Sequence, residues 1–174
     1  MIETNNLRGG AGDGRVGRSL ERLLTHLRAQ TRPLSTLAEL VVTHEGALAD
    51  ADRRRLEDAA ERAIHFVEIA NDVGYYAAKE AGFDATDADV VAFADGDCWP
   101  CNEWLACLLE PFANERVDVV AGRTSYRDDL LGIAATTIDF MYFESPLGRG
   151  ARRNFYANNV AFRRHVFDRV RYQS

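Results

Sequence analysis

The sequence is poor in the residues that mark several common protein classes. Its 174 residues include only three cysteines and four prolines, and its net charge is -6. The odd number of cysteines, with no signal-peptide pattern, favours a cytosolic protein with reduced structural thiols over a disulfide-bonded secreted one. The missing basic excess argues against a general nucleic-acid binder. No apolar run reaches the roughly 18 residues that predict a membrane span.

Helical and strand patterns alternate along a chain that is 47% hydrophobic, which is enough for a globular core. Helices are predicted over 16–30, 50–62, 75–81, 103–112, 130–144 and 164–169, and strands over 38–43, 64–69, 90–94, 117–121 and 158–162. This alternation predicts a three-layer α/β/α fold with a mainly parallel central sheet.

We expect residues 1–174 to form a single domain that is incomplete. An apolar first strand would precede Glu3, yet the sequence starts at Met1-Ile2, so this strand is shortened. The last predicted helix is followed by no closing element before Ser174. A compact domain with short terminal elements is the alternative.

The most informative segment is the predicted strand at 90–94, which ends in Asp95-Gly96-Asp97. In open α/β sheets, ligands bind at the carboxyl ends of the strands. Two carboxylates one residue apart at such an edge suit Mg²⁺ or Mn²⁺, and Gly96 lets the backbone turn between them. An ordinary turn after a strand uses the same residue types.

Two other motifs match known patterns without the required context. Cys98 and Cys101 form C-x-x-C, but no second pair and no suitably spaced histidine completes a zinc site. Residues 12–17 match G-x-G-x-x-G, but no strand directly precedes them, and Glu45 is too far along to be the expected acid. We therefore interpret the first as structural thiols and the second as a flexible loop.

Several segments in order resemble family 2 glycosyltransferases, the nucleotide-sugar enzymes with the GT-A fold. The similar segments are Ser19-Leu20 through Gln30-Thr31, Glu39 through Gly46, Asp72-Val73-Gly74 with Ala77 through Gly82, Val91 through Pro100 with Trp104-Leu105, and Asn158 through Arg164. Two departures stand out: His44-Glu45 replaces the commoner Asp-Asp, and Lys79 stands where arginine is frequent.

The resemblance implies a role for each matching residue. Asp97 would ligate the divalent metal, Mg²⁺ or Mn²⁺, that binds the donor diphosphate, and Asp95 would contact the ribose or a metal-bound water. Thr4 and Glu45 would line the nucleobase pocket, and Lys79 would lie near the phosphates. The general base of such enzymes is expected beyond Ser174, so no catalytic base is assigned.

The function predicted from the resemblance is metal-dependent transfer of a sugar from a nucleotide-diphosphate donor to a glycan, lipid or protein acceptor. No nucleic acid and no membrane span are expected, and the predicted location is cytoplasmic, with peripheral attachment at the inner face of the membrane as a variant. Two alternatives stay open. The first is a non-catalytic nucleotide-sugar-binding remnant. The second is a sugar-phosphate nucleotidyltransferase, which would share the layered fold and the use of a bound divalent metal.

Overall fold

A computed structural model describes residues 1–7, 14–46, 48–127, 129–140 and 154–172. The strands are β1 (Ile2–Glu3), β2 (Val41–His44), β3 (His65–Glu68), β4 (Val90–Asp95), β5 (Val119–Ala121) and β6 (Val160–Arg163). The helices are α1 (Arg15–Arg28), α2 (Asp50–Ala60), α3 (Tyr75–Asp84), α4 (Trp104–Leu109), α5 (Leu130–Phe140) and α6 (Arg164–Phe167). Short 3-10 turns cover Asn5–Leu7, Leu34–Thr36 and Glu110–Ala113.

The described strands form one six-stranded sheet in the order β3-β2-β1-β4-β6-β5. The pairings among β3, β2, β1 and β4 are parallel, whereas β6 runs antiparallel to both β4 and β5. The helical connections between successive parallel strands bring all four carboxyl ends to one edge. In this strand order β1, which is only two residues long, lies inside the sheet between β2 and β4.

Both faces of the sheet are covered by apolar side chains. On one face, Leu20, Leu23, Leu24 and Leu27 of α1 recur at helical spacing and are buried together with Ile2 of β1. On the other face, a second cluster joins Phe83 of α3, Phe93 of β4, Phe162 of β6 and Phe167 of α6. Helices on both sides of one sheet confirm the predicted three-layer arrangement.

The predicted helices and strands correspond to observed elements of the same type, with differences at their ends. The helix predicted over 103–112 is α4 followed by a 3-10 turn, because Pro111 supplies no N–H for an α-helical bond. The last four residues of the segment predicted over 130–144 lie outside the described residues. Among the described helices, none combines the length and apolarity needed to cross a lipid bilayer.

Candidate functional site

The carboxyl edge of the three central strands brings together most of the residues singled out above. β1 lies between β2 and β4, with Glu3 beside Thr43 on one side and Asp95 on the other. Thr4 follows β1, Glu45 follows β2, and Asp95 is the last residue of β4. Adjacent strand ends therefore carry these side chains to one edge of the sheet.

The turn between the two acids is held tightly from both sides. The N–H of Gly96 donates to the Glu3 carbonyl at 2.6 Å, and the Ser19 hydroxyl of α1 donates to the Gly96 carbonyl at 2.9 Å. A Cβ at position 96 would lie 3.2 Å from Leu7 Cδ1 and 3.3 Å from the Glu3 carbonyl oxygen. Glycine suits this position, because a Cβ would require the segment from Glu3 to Leu7 to shift by a few tenths of an ångström.

Asp95 is buried and surrounded by hydrogen-bond donors. Lys79 Nζ is 2.5 Å from Asp95 Oδ1, and both residues are almost wholly enclosed. The Tyr75 hydroxyl lies 2.9 Å from Oδ2 and 3.1 Å from Oδ1, and Asn6 Nδ2 donates to Oδ2 at 2.9 Å. A carboxylate offers about four lone-pair positions, so protein donors already engage most of the accepting capacity of Asp95.

Asp97 differs from Asp95 because its side chain is exposed to solvent. Ligand atoms of Asp95, Asp97 and Cys98 lie within 4.8 Å of one another. Partial burial and then the negative charge of Asp95 raise the pKa of Asp97 above its usual range. Burial also raises the pKa of the Cys98 thiol to about 12, so that this thiol is protonated at neutral pH.

These residues fit the divalent cation that the resemblance implies. An exposed carboxylate beside a second carboxylate is the oxygen donor set that Mg²⁺ and Mn²⁺ prefer. A cation at Asp97 would offset the charge repulsion that raises the pKa of this group. Asp95 has about one accepting position left beside its three donors, so the exposed Asp97 is the better placed of the two candidate ligands.

Glu3 is a third acid at this edge, and it lies inside the protein. Its side chain is fully buried, its Oε1 accepts the Asn5 N–H, and its Oε2 has no hydrogen-bond partner among the described residues. Burial raises the pKa of Glu3 to about 7, against the opposing effect of the nearby Lys79 charge. A substantial part of the Glu3 carboxyl population is therefore protonated at neutral pH.

The other predicted site residues, Thr4, Glu45 and Lys79, are less exposed to solvent than Asp97. The Thr4 hydroxyl is buried and donates to the Thr43 carbonyl at 2.9 Å, which ties β1 to β2. Glu45 is half-buried, directly after β2. Lys79, predicted near the phosphates, reaches the same edge from α3, but its ammonium is bound to Asp95 and does not face solvent.

Sequence reasoning missed Tyr75, Asn6 and Glu3. One signal was available: Lys79 is the only lysine of the chain, and Tyr75 lies four residues before it, on the same face of a helix. A lone lysine among twenty arginines indicates a position where a compact ammonium is required. The polar roles of Asn6 and Glu3 depend on the position of β1 in the sheet, which no local pattern indicates.

Two tryptophans border the site in different ways. The guanidinium of Arg22 stacks on Trp99 at 3.6 Å from the ring centre, and Trp99 remains 49% exposed. Trp104 packs against the first core cluster and donates its indole N–H to Asn159 at 2.9 Å. Trp104 therefore supports the site from within, whereas Trp99 forms part of its rim.

Comparison with known proteins gives relatives of one kind. The chain is 26% identical over 121 residues to the glycosyltransferase AglE of Haloferax volcanii. The aligned region covers 70% of this chain and 40% of that protein. The structure resembles a mannosyltransferase from Pyrobaculum calidifontis, solved in complex with GDP-mannose and Mn²⁺, with a TM-score of 0.64 and 20% identity. That match covers 97% of this chain and 45% of the other.

A second solved relative is the glucosyl-3-phosphoglycerate synthase of Mycobacterium tuberculosis in complex with UDP. Its TM-score is 0.53 at 17% identity, and the match covers 86% of this chain and 54% of that one. The chain thus spans about half the length of the relatives that it matches. Residues 15–171 match the family model described as glycosyl transferase family 2, and the chain therefore belongs to that family.

Proposed function

We propose that this chain is the donor-binding part of a metal-dependent glycosyltransferase that uses a nucleotide-diphosphate sugar. The observation that carries the proposal is the contrast between the two acids that end β4. Asp95 is fixed by Lys79 and Tyr75, whereas Asp97 is exposed beside it at the carboxyl edge of the sheet. A fixed acid and an exposed one, separated by a closely packed glycine, make a preorganised cation site in this proposal.

In this proposal each residue has a separate task. Asp97 ligates the cation, which when bound supplies a Lewis acid for the charge that develops on the departing diphosphate. Asp95 orients the turn and contacts the ribose, with Lys79 and Tyr75 holding its carboxylate in place. Glu45 and Thr4 border the nucleobase pocket at the ends of β2 and β1. Lys79 acts as a positioning residue, because its ammonium is enclosed.

The solved relatives favour a nucleotide diphosphate as the group that this edge binds, since their complexes contain GDP-mannose or UDP. The nucleobase differs between these two complexes, guanine in one and uracil in the other, so the binding experiment below tests both nucleotides. The acceptor is a glycan, a lipid or a protein, and no described residue is proposed as the general base. We therefore propose donor binding for residues 1–174 and sugar transfer for the whole protein.

The test is calorimetric binding of GDP and of UDP, each with and without Mn²⁺. We expect one nucleotide to bind at least tenfold more tightly with Mn²⁺, and Asp97→Asn to abolish that gain, because the exposed ligand is lost. Glu115→Gln is the matched control: it removes the same charge from an exposed position that precedes β5, near the opposite edge of the sheet.

Two results would contradict the proposal. Nucleotide affinity that is indifferent to Mn²⁺ would remove the role of the cation. An equal loss of the Mn²⁺ effect in Asp97→Asn and Glu115→Gln would point to general charge effects and not to a ligand at Asp97. Release of pyrophosphate from a nucleoside triphosphate and a sugar phosphate would assign the chain to the nucleotidyltransferases instead.

A further inference from the structure

His44, the last residue of β2, is a buried histidine with no task in the proposed function. It is wholly enclosed, and its imidazole meets the ring of Phe66 of β3 edge-on, with 6.0 Å between the ring centres. The backbone continues into Glu45 and Gly46, and Gly46 has a φ of 69°, in the left-handed region. His44 therefore lies at the start of the turn that carries Glu45.

The imidazole closes this turn by a hydrogen bond. The Gly46 N–H donates to His44 Nδ1 at 3.1 Å, so a side chain accepts the N–H of the residue two positions further along the chain. Aspartate and asparagine make the same bond in Asx turns, with a side-chain oxygen as the acceptor. In this turn a ring nitrogen replaces that oxygen, and the bond fixes the backbone on both sides of Glu45.

This hydrogen bond also fixes the protonation of the ring. Because Nδ1 accepts, the hydrogen of the neutral imidazole is on Nε2. Nε2 is buried and has no hydrogen-bond partner among the residues that the structure describes. Protonation would place a second N–H at Nδ1, where it would face the N–H of Gly46, and these residues offer the charged ring no acceptor at Nε2. The turn is therefore closed by the neutral ring and opposed by the charged one.

The surroundings of the imidazole favour the neutral form. Burial lowers the pKa of His44 from 6.5, and the positive charge of Arg53 on α2 adds to this effect. Glu68 lies beside His44 on β3 and acts in the opposite direction, but its carboxylate is mostly exposed and lies 3.4 Å from Arg53 Nη2. Among the described residues, Arg53 and Glu68 are the charged groups that act on His44. The ring is thus uncharged at neutral pH.

We propose that His44 is a positioning residue for the nucleobase, which holds the turn 44–46, and with it Glu45, as long as its imidazole is uncharged. Acidification breaks the bond between Nδ1 and the Gly46 N–H and releases the turn. Nucleotide affinity therefore falls as His44 becomes protonated. This inference rests on the proposed function, because it takes Glu45 as a border of the nucleobase pocket.

The first test is nitrogen-15 NMR of the His44 ring and of the Gly46 amide in the unmodified chain, between pH 4.5 and 8. We expect an unprotonated Nδ1 and a protonated Nε2 at pH 7.5, and one shared midpoint below 6.5 for the ring and the amide. A protonated Nδ1 at pH 7.5, a Gly46 amide that does not follow the ring, or a ring that stays neutral over the whole range would overturn the proposal. This test requires no variant to fold.

The second test is calorimetric binding of GDP and UDP with Mn²⁺, at pH 7.5 and at one pH unit below the His44 midpoint. His44→Asn keeps an acceptor for the Gly46 N–H that does not titrate, whereas His44→Leu removes the acceptor. At the lower pH about nine-tenths of the parent imidazoles are charged, so the parent should bind about tenfold more weakly than His44→Asn. At pH 7.5 these two should bind alike, and His44→Leu should bind at least about fivefold more weakly than both.

The matched control is His165→Asn, which removes an exposed histidine after β6, at the opposite edge of the sheet, and should keep the parent pH profile. Equal pH profiles for the parent and His44→Asn would overturn this inference and leave the proposed function intact, as would a His165→Asn profile equal to that of His44→Asn. If the parent binds neither nucleotide at pH 7.5, the proposed function fails, and the role of His44 toward the nucleobase fails with it.

Discussion

The acidic turn depends on a buried ion pair formed by the only lysine of the chain. Lys79 and Asp95 are almost fully enclosed, and Tyr75 and Asn6 engage two more accepting positions of Asp95. When one member of such a pair is removed, the other charge stays in the interior without compensation. At the residue scale, neither member of the pair can be removed alone without a large loss of stability, and the pair holds the first acid of the site.

Lys79→Met should lower the free energy of unfolding by about 3–5 kcal/mol, since the volume is kept but Asp95 loses its partner. Urea unfolding followed by circular dichroism measures the change. Arg116→Met, which removes a positive charge from an exposed position, should stay within about 0.5 kcal/mol of the parent chain. The double variant Lys79→Met with Asp95→Asn should recover part of the loss. A loss below about 1 kcal/mol for Lys79→Met would contradict the enclosed pair.

At the scale of elements, helix α3 is important because it carries Lys79 to the sheet. Helix α3 approaches β1 and β2 closely at Gly82. An added Cβ there would lie 2.8 Å from Met1 Cγ and 2.9 Å from Thr43 Cγ2. Real Cβ atoms do not approach other atoms so closely, so the side chains of Met1 and Thr43, or α3 itself, would have to shift. Gly82 therefore sets the distance between α3 and the two strands β1 and β2.

Gly82→Ala should destabilise the protein by about 1–3 kcal/mol, because overpacking outweighs the gain of up to about 1 kcal/mol in helix propensity. Thermal unfolding measures the change. Gly74→Ala, at the start of the same helix with no atom within 4 Å of the added Cβ, is the matched control and should change stability by less than about 0.5 kcal/mol. If Gly82→Ala proved neutral or stabilising, the contact with Thr43 would not limit the approach of α3.

The elements themselves could be predicted from local patterns, and so could the position of the acidic turn. The apolar run of β4, with Asp95 and Asp97 after it, indicates a buried strand that ends at a ligand-binding edge. The strand order could not be predicted in the same way. The antiparallel insertion of β6 between β4 and β5 depends on contacts between residues about 70 positions apart, such as Phe162 beside Val91.

The same limit applies inside the site. Asp95 and Lys79 were each identified from the resemblance, but as separate contacts to the donor. The direct ion pair between Asp95 and Lys79 depends on how α3 packs across the sheet. The spacing of residues in the sequence does not predict this packing. The sequence predicts a shortened first strand before Glu3 and gives Glu3 no role, because the burial of Glu3 follows only from the central position of β1.

At the scale of the whole molecule, two buried groups make stability depend on pH with opposite signs. The pKa of Glu3 is raised from 4.5 to about 7, so its stabilising contribution is complete below pH 4.5 and is lost as the pH rises through 7. The pKa of the Met1 amino group is lowered from 8.0 to about 5, so its contribution is present above pH 8 and is lost as the pH falls through 5. Between pH 5 and 7, these two contributions oppose each other.

Glu3→Gln removes one of these opposing contributions and retains a side-chain oxygen for the Asn5 N–H. The stability of this variant minus that of the parent chain should therefore grow by about 3 kcal/mol between pH 4.5 and 7.5, at roughly 1.4 kcal/mol per pH unit. Urea unfolding of both chains at four pH values in this range measures the difference, in which all other titrating groups cancel. A difference that stays constant with pH would mean that Glu3 ionises in the folded chain as it does in the unfolded one. The carboxyl group would then have to reach solvent or the nearby Lys79 ammonium, and the enclosure of Glu3 in the folded chain would be wrong.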